Sequence, residues 1–142
     1  MKRLTKSRLF LLELMIDLLF FCICGAVCLA VFARAHSLSV RSEELSSAVL
    51  KVESAAEDYR AAGGDVQKTA QRLGAQGDDE ILQLYYDARW QPTDGEATYV
   101  LTLQEQEGTE WLHTVDIQVT AVGQDTPVYT LTVKLAAEEE GS

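Results

Sequence analysis

The chain has few cysteines, and none lies where a secreted domain would use one. Cys22, Cys24 and Cys28 all fall inside a single apolar run, residues 9–33. Small secreted domains often depend on disulfides, so the rest of this chain must be held together by packing alone. Free cysteine is readily buried as a small apolar side chain, and we interpret all three as facing lipid or a neighbouring helix.

The residue sets that carry enzymatic chemistry are also missing from the sequence. Only two histidines are present, His36 and His113, and no cysteine lies outside the apolar run. Because there is no Gly-rich phosphate loop either, no nucleophile with its base and no zinc site can be assembled from motifs. We predict that the protein is not an enzyme and has no cofactor. We expect His113 to be a half-buried strand residue.

One short acidic segment resembles a metal-binding loop only in composition. Asp78, Asp79 and Glu80 are consecutive, whereas the ligands of a defined calcium loop alternate along the chain. Three consecutive acids more often form a solvated loop. We therefore predict a polar loop without a metal site, and calcium binding is the alternative.

Basic residues are scarce after the start of the chain. The first eight residues carry four basic side chains and no acid, whereas the chain from Ala35 onward has 7 Lys or Arg against 20 Asp or Glu. This balance excludes nucleic-acid binding, which needs a basic face. Lys and Arg beside a membrane segment favour its cytoplasmic side. We predict that residues 1–8 form a cytoplasmic leader and that the acidic domain lies outside the cytoplasmic membrane.

The apolar run of residues 9–33 is long enough to cross a bilayer, which needs about 20 residues. A cleaved signal peptide is the alternative, since Ala33-Arg34-Ala35 has the small-x-small pattern of a cleavage site. A secreted protein cut after Ala35 would result. We favour a retained transmembrane segment because the helical pattern continues beyond it without Pro or Gly.

The helical pattern predicts one helix over residues 9–62, about 80 Å long at 1.5 Å per residue. Its part outside the membrane, residues 34–62, has apolar side chains at three-, four- and seven-residue spacing. We predict that this stripe packs on a sheet, and it consists of Leu38, Leu45, Val49, Val52, Ala56 and Tyr59.

Turn and capping residues divide the rest of the chain. Gly63-Gly64 should end the long helix, and Asp65 should cap a short helix that runs to Leu73 and ends at Gly74. A polar loop should follow, completing the segment 63–80. Four stretches of alternating apolar residues then predict an antiparallel sheet over 81–136, with an acidic tail at 137–142.

The apolar face of the predicted sheet needs a cover, which only the stripe of the long helix can supply. The sequence thus predicts an α+β fold in which a long N-terminal helix packs on a roughly four-stranded antiparallel sheet. The residues expected on the inner face are Leu82, Leu84, Tyr86, Ala88 and Trp90, then Tyr99, Leu101 and Leu103, then Trp111, Val115, Ile117, Val119 and Ala121, and finally Tyr129, Leu131, Val133 and Leu135.

Two carboxylates lie at membrane depth in the predicted span. Glu13 and Asp17 are one helical turn apart on one face, and a charged side chain in the membrane costs about 2.5–3.5 kcal/mol on insertion scales. A partner of opposite charge would offset that cost. Glu13 could instead reach the headgroups or pair with Arg8 or a nearby Lys. Asp17 could be protonated, share the partner of Glu13, or contact a membrane protein.

The segment Leu11-Leu12-Glu13-Leu14-Met15-Ile16 resembles the start of type IV pilins and type II secretion pseudopilins, whose pattern reads approximately F-T-L-I-E-L-M-I. The resemblance places Glu13 at the fifth residue of the mature chain, so Leu9 would be the first. Arg8 then precedes the processing site, where family members have Gly. Asp17 also departs from the family, which usually has an apolar residue there.

The resemblance implies a function as a filament subunit. In the family, this glutamate pairs with the N-terminal amine of a neighbouring subunit, and we expect Glu13, with Asp17, to act in assembly. We predict a minor pilin or pseudopilin of a bacterial type II secretion or type IV pilus system, serving secretion, DNA uptake or adhesion. Its partners would be pilin-like subunits, a membrane platform protein and the lipid bilayer. The alternative is a single-pass anchored binding module that does not polymerise.

Overall fold

The computed structural model describes residues 6–78, 80–109 and 111–137, and it contains two helices and five strands in these ranges. The prediction of an α+β fold with a long N-terminal helix and an antiparallel sheet is confirmed, with five strands rather than about four. In chain order the elements are α1 Lys6–Ala61, α2 Val66–Leu73, β1 Gln76–Gly77, β2 Ile81–Tyr86, β3 Tyr99–Thr109, β4 Leu112–Ala121 and β5 Pro127–Ala136.

The chain divides after Ser42 into two units. In the first unit every described residue belongs to α1 and is exposed. The second unit contains the end of α1, α2 and the sheet, and it holds the hydrophobic core. Its apolar side chains alternate along the strands, so that one face of the sheet can be buried while the other remains polar.

Both helix ends in the second unit follow the predicted signals. After Ala61 the chain enters the left-handed region at Gly63 and Gly64, with φ of 69° and 82°. This conformation costs little only for glycine. Asp65 caps α2, because its Oδ1 accepts a 3.0 Å hydrogen bond from the Lys68 backbone N–H. That bond also lowers the pKa of the Asp65 carboxyl. Gly74 ends α2 in the left-handed region, as expected.

The five strands form a simple meander in which each strand pairs antiparallel with the next. The register places apolar residues opposite each other across the central strands, such as Leu103 opposite Ile117 and Ile117 opposite Leu131. Cross-strand pairs of this kind stabilise a sheet by about 0.2–1 kcal/mol each. The fully buried inner face is formed by Leu82, Leu101, Leu103, Val115, Ile117 and Val119.

The part of α1 that packs on the sheet presents a face rich in alanine. Val52 and Tyr59 are fully buried, and the other buried residues of α1 are Ala48, Ala55 and Ala56. These five positions recur at the spacing of a single helical face.

The packed face of α1 differs from the predicted stripe at its start. Leu38 and Leu45 are 69% and 45% exposed, which corrects their assignment to the packed face, and Val49 is only partly buried. The face is rotated toward Ala48 and Ala55. One contact supports this rotation, because Lys51 Nζ lies 5.0 Å from the centroid of the Tyr86 ring.

Trp90 lies in a turn after β2 rather than in a strand, so its predicted strand position and that of Ala88 are wrong. Asp87 organises the turn, because its Oδ1 accepts hydrogen bonds from the backbone N–H groups of Arg89 and Gln91 at 2.8 and 2.9 Å. Trp90 adopts a φ of 62°, which is rare for a bulky residue. Its ring stacks on Tyr99 with centroids 4.1 Å apart, so it still packs against the core.

The sheet differs from the prediction at two further places. Trp111 was expected in the core, but it precedes β4 and is 65% exposed, because the strand begins one residue later. Gln76 and Gly77, expected in a loop, form β1 and pair with β2. A side chain at Gly77 would collide with the backbone carbonyl of Ile81, so this close pairing requires glycine.

Candidate functional site

Glu13 and Asp17 lie in the apolar part of α1, one turn apart on the same face of the helix. Both side chains are exposed. Within the described residues, neither carboxylate has a hydrogen bond or an ion pair, and none joins Glu13 to Arg8. The chain itself therefore offers these two carboxylates no partner in its described part.

The helix that carries these carboxylates is long and apolar enough to cross a membrane. The most apolar stretch of the helix is entirely exposed, whereas the core helix of a soluble protein is mostly buried. A signal sequence near the N-terminus has a similar length and composition. Cys22, Cys24 and Cys28 are free and exposed on this segment, as are the residues of the predicted processing site, Arg8 and Leu9.

A second polar site lies where β3 and β4 meet the end of α1. His113 of β4 and Glu105 of β3 face each other, with 3.3 Å between Nδ1 and Oε1. The backbone N–H of Glu105 donates a 3.1 Å hydrogen bond to the carbonyl of Glu80, which brings a second acidic residue beside it. His113 is half-buried, as expected, and faces the acidic side chain of Glu105 on the neighbouring strand.

Tyr59 is the buried end of this polar site. Its side chain is fully buried, and its hydroxyl has no hydrogen-bond partner within the described residues. Desolvation, aided by the nearby charge of Glu105, raises the pKa of Tyr59 to about 12. Burial also raises the pKa values of Tyr86 and Tyr99.

We predict that the packed domain loses stability in strongly alkaline solution. The pKa of Tyr59 is about 12 in the folded chain and 10 in the unfolded chain, so the unfolded chain releases this proton first as the pH rises. The domain therefore keeps its full stability below about pH 10 and loses stability between about pH 10 and about pH 12. In Tyr59→Phe this alkaline loss should be smaller. At pH 7 the variant should be as stable as the wild type or more stable, by up to about 1 kcal/mol, because an unpaired buried hydroxyl is removed.

The measurement is urea unfolding of wild type and Tyr59→Phe at pH 7, 9 and 11. Tyr85→Phe is the matched control, because this ring is partly exposed and its hydroxyl has a partner, Gln83, at 2.8 Å. An identical alkaline loss in wild type and Tyr59→Phe would contradict the assignment to Tyr59.

The remaining predicted sites are dispersed. His36 is exposed on α1, far along the chain from His113. Asp78 and Glu80 flank Asp79, which lies outside the described residues. Across the ranges 6–78, 80–109 and 111–137, no group of three metal-binding side chains is present.

No protein-family model, curated protein or solved structure matches this chain. Fold and site define it as an α+β protein in which an apolar N-terminal helix continues into a domain with a meander sheet. The resemblance to pilins rests on the segment around Glu13. The sequence did not predict that Glu105 contacts His113 and lies near Tyr59. These residues lie on β3, β4 and α1, and only the folded chain brings the three elements together.

Proposed function

We propose that this protein is a pilin-like subunit, a minor pilin or pseudopilin, held in the cytoplasmic membrane before it joins a filament. The observation that carries the proposal is the placement of Glu13. It lies early in an exposed apolar helix, within a pilin-like segment, and has no partner within the described part of its own chain.

Charge pairing explains how such a residue could direct assembly. A carboxylate surrounded by apolar helices needs an opposite charge, and breaking a buried pair costs about 3–5 kcal/mol. In a filament the N-terminal amine of the adjacent subunit would supply that charge. Only one axial offset between two helices brings the groups together, so the pair would select the register.

The packed domain has the second property that a filament subunit needs. The buried residues of α1 lie between Ala48 and Tyr59, and the apolar part of the helix is exposed. The apolar part can then contact lipid before assembly and neighbouring helices afterwards. The basic leader and the acidic domain support an orientation with the N-terminus in the cytoplasm and the domain outside.

Oxidative cross-linking through the native cysteines tests the proposal. Cys22, Cys24 and Cys28 lie on the apolar part of α1, so packed subunits would bring them within reach of neighbours. In native membranes we expect this chain in cross-linked species with pilin-like proteins, and we expect their loss when the assembly ATPase is deleted. A variant with all three cysteines changed to Ala is the control for cross-links through other groups.

The alternative functions give different results in the same membranes. Cross-links that persist without the ATPase, or none when it is present, would support the anchored binding module. Intact-mass measurement adds a separate criterion. A chain that starts at His36 would mean cleavage after Ala35 and a secreted protein, which excludes the filament subunit.

A further inference from the structure

An exposed tryptophan, Trp111, lies directly before β4. Trp111 is 65% exposed, more than any other aromatic side chain among the described residues of the second unit. Its backbone is held in place, because its carbonyl accepts a 3.0 Å hydrogen bond from the Ala137 N–H. Leu112 beside it is also exposed. A large aromatic side chain on a fixed backbone is a frequent anchor of protein–protein interfaces.

An acidic cleft begins beside Trp111, at Leu112. It is lined by Glu80, Glu105, Glu107, Leu112 and His113 together with uncharged residues of β3, and none of the described residues that line it is Lys or Arg. Within the described part of the chain, only Glu105 of these three carboxylates has a partner, His113. The cleft therefore has an excess of negative charge close to an apolar anchor.

The carboxylates of Glu80 and Glu107 are open to a ligand. Both residues are exposed, and within the described part of the chain neither side chain has a hydrogen bond or an ion pair. The polar groups of the cleft thus match a ligand that carries N–H donors and positive charge.

We propose that the cleft and Trp111 together bind a basic segment of a partner protein. Lys or Arg side chains of the segment would pair with Glu80, Glu105 and Glu107, and an apolar side chain or the stem of an arginine would pack on Trp111. The strongly acidic domain repels nucleic acids and anionic lipids. A basic protein segment is the partner that satisfies both the charge and the apolar anchor. This binding does not depend on filament formation.

The test uses the full-length protein in a nonionic detergent and a fluorescein-labelled peptide of eight residues in which Lys and Arg alternate with Leu and Ala. Fluorescence anisotropy should show binding that weakens as salt is raised, since exposed ion pairs are screened. A matched peptide with Gln in place of Lys and Arg should not bind. Binding of both peptides alike would overturn the proposal.

Two sets of variants locate the site. Glu80→Gln with Glu107→Gln should weaken binding of the basic peptide about tenfold, and so should Trp111→Ala. The controls are Asp94→Asn with Glu96→Gln, which removes the same charge from an exposed loop elsewhere, and Val122→Ala, which shortens another exposed apolar side chain. Both should change affinity less than about twofold.

The controls keep the proposal falsifiable. If Asp94→Asn with Glu96→Gln weakens binding as much as the cleft variants, the attraction is a property of the whole acidic surface and the proposed site is wrong. The same conclusion follows if Trp111→Ala binds like the wild type. All altered residues are exposed, and an unchanged urea midpoint for each variant establishes that folding is intact.

Discussion

Val52→Asp should unfold the packed domain or leave it barely stable. Val52 is fully buried at the centre of the alanine-rich face of α1, and the fully buried residues of the strands opposite are apolar. An unpaired charge there should cost about 3–5 kcal/mol or more, against a total stability of about 5–15 kcal/mol for an ordinary domain. A domain without disulfides has no covalent crosslink to offset this loss.

Urea unfolding of the full-length protein in detergent, followed by tryptophan fluorescence, measures this effect. Trp90 is a suitable reporter because its ring stacks on Tyr99 in the folded domain. Leu50→Asp is the matched control: it introduces the same charge two residues earlier, at a position that is 64% exposed, and should shift the midpoint little. Equal midpoints for Val52→Asp and wild type would refute the packing of α1 on the sheet.

Glu13→Gln should strongly reduce cross-linking between this chain and pilin-like neighbours, without changing membrane insertion or the packed domain. The amide has nearly the shape of the carboxylate but no charge, so it cannot form the proposed ion pair that would favour one axial offset between two helices. If Glu13 pairs as proposed, its loss leaves the partner's charge uncompensated at a cost of about 3–5 kcal/mol, which is enough to lower cross-linking by about tenfold or more. Asp17→Asn should act in the same direction if both carboxylates share a partner.

The assay is photo-crosslinking from probe positions along residues 9–33 in native membranes. Glu53→Gln is the matched control, since it removes one carboxylate from an exposed position of α1 in the second unit. A simple anchor has no need for the charge, and its insertion should if anything improve when the charge is lost. Equal cross-linking in wild type, Glu13→Gln and Asp17→Asn would leave the anchored module as the better description.

Local signals in the sequence were sufficient for the helix ends and for the inner faces of the central strands. Gly63, Asp65 and Gly74 act within a few residues of themselves, through backbone freedom and a side-chain cap, so no distant part of the chain is needed to interpret them. Alternation of apolar residues likewise placed Leu101, Leu103 and the inner residues of β4 correctly. The apolar run and Glu13 are also plain in the sequence, although their function remains a proposal.

What the sequence by itself determined is the order of elements and which face of each strand is apolar, because capping, turn chemistry and side-chain alternation are local. Only the tertiary structure decided how α1 is rotated on the sheet, because the buried face includes Ala48 and Ala55, which carry little hydrophobic signal. It also decided that Trp90, with a positive φ in the turn after β2, packs its ring against the core, whereas Trp111 stays exposed. The proximity of Tyr59, Glu105 and His113 depends on strand register and helix packing together, and such contacts between distant residues leave no local pattern.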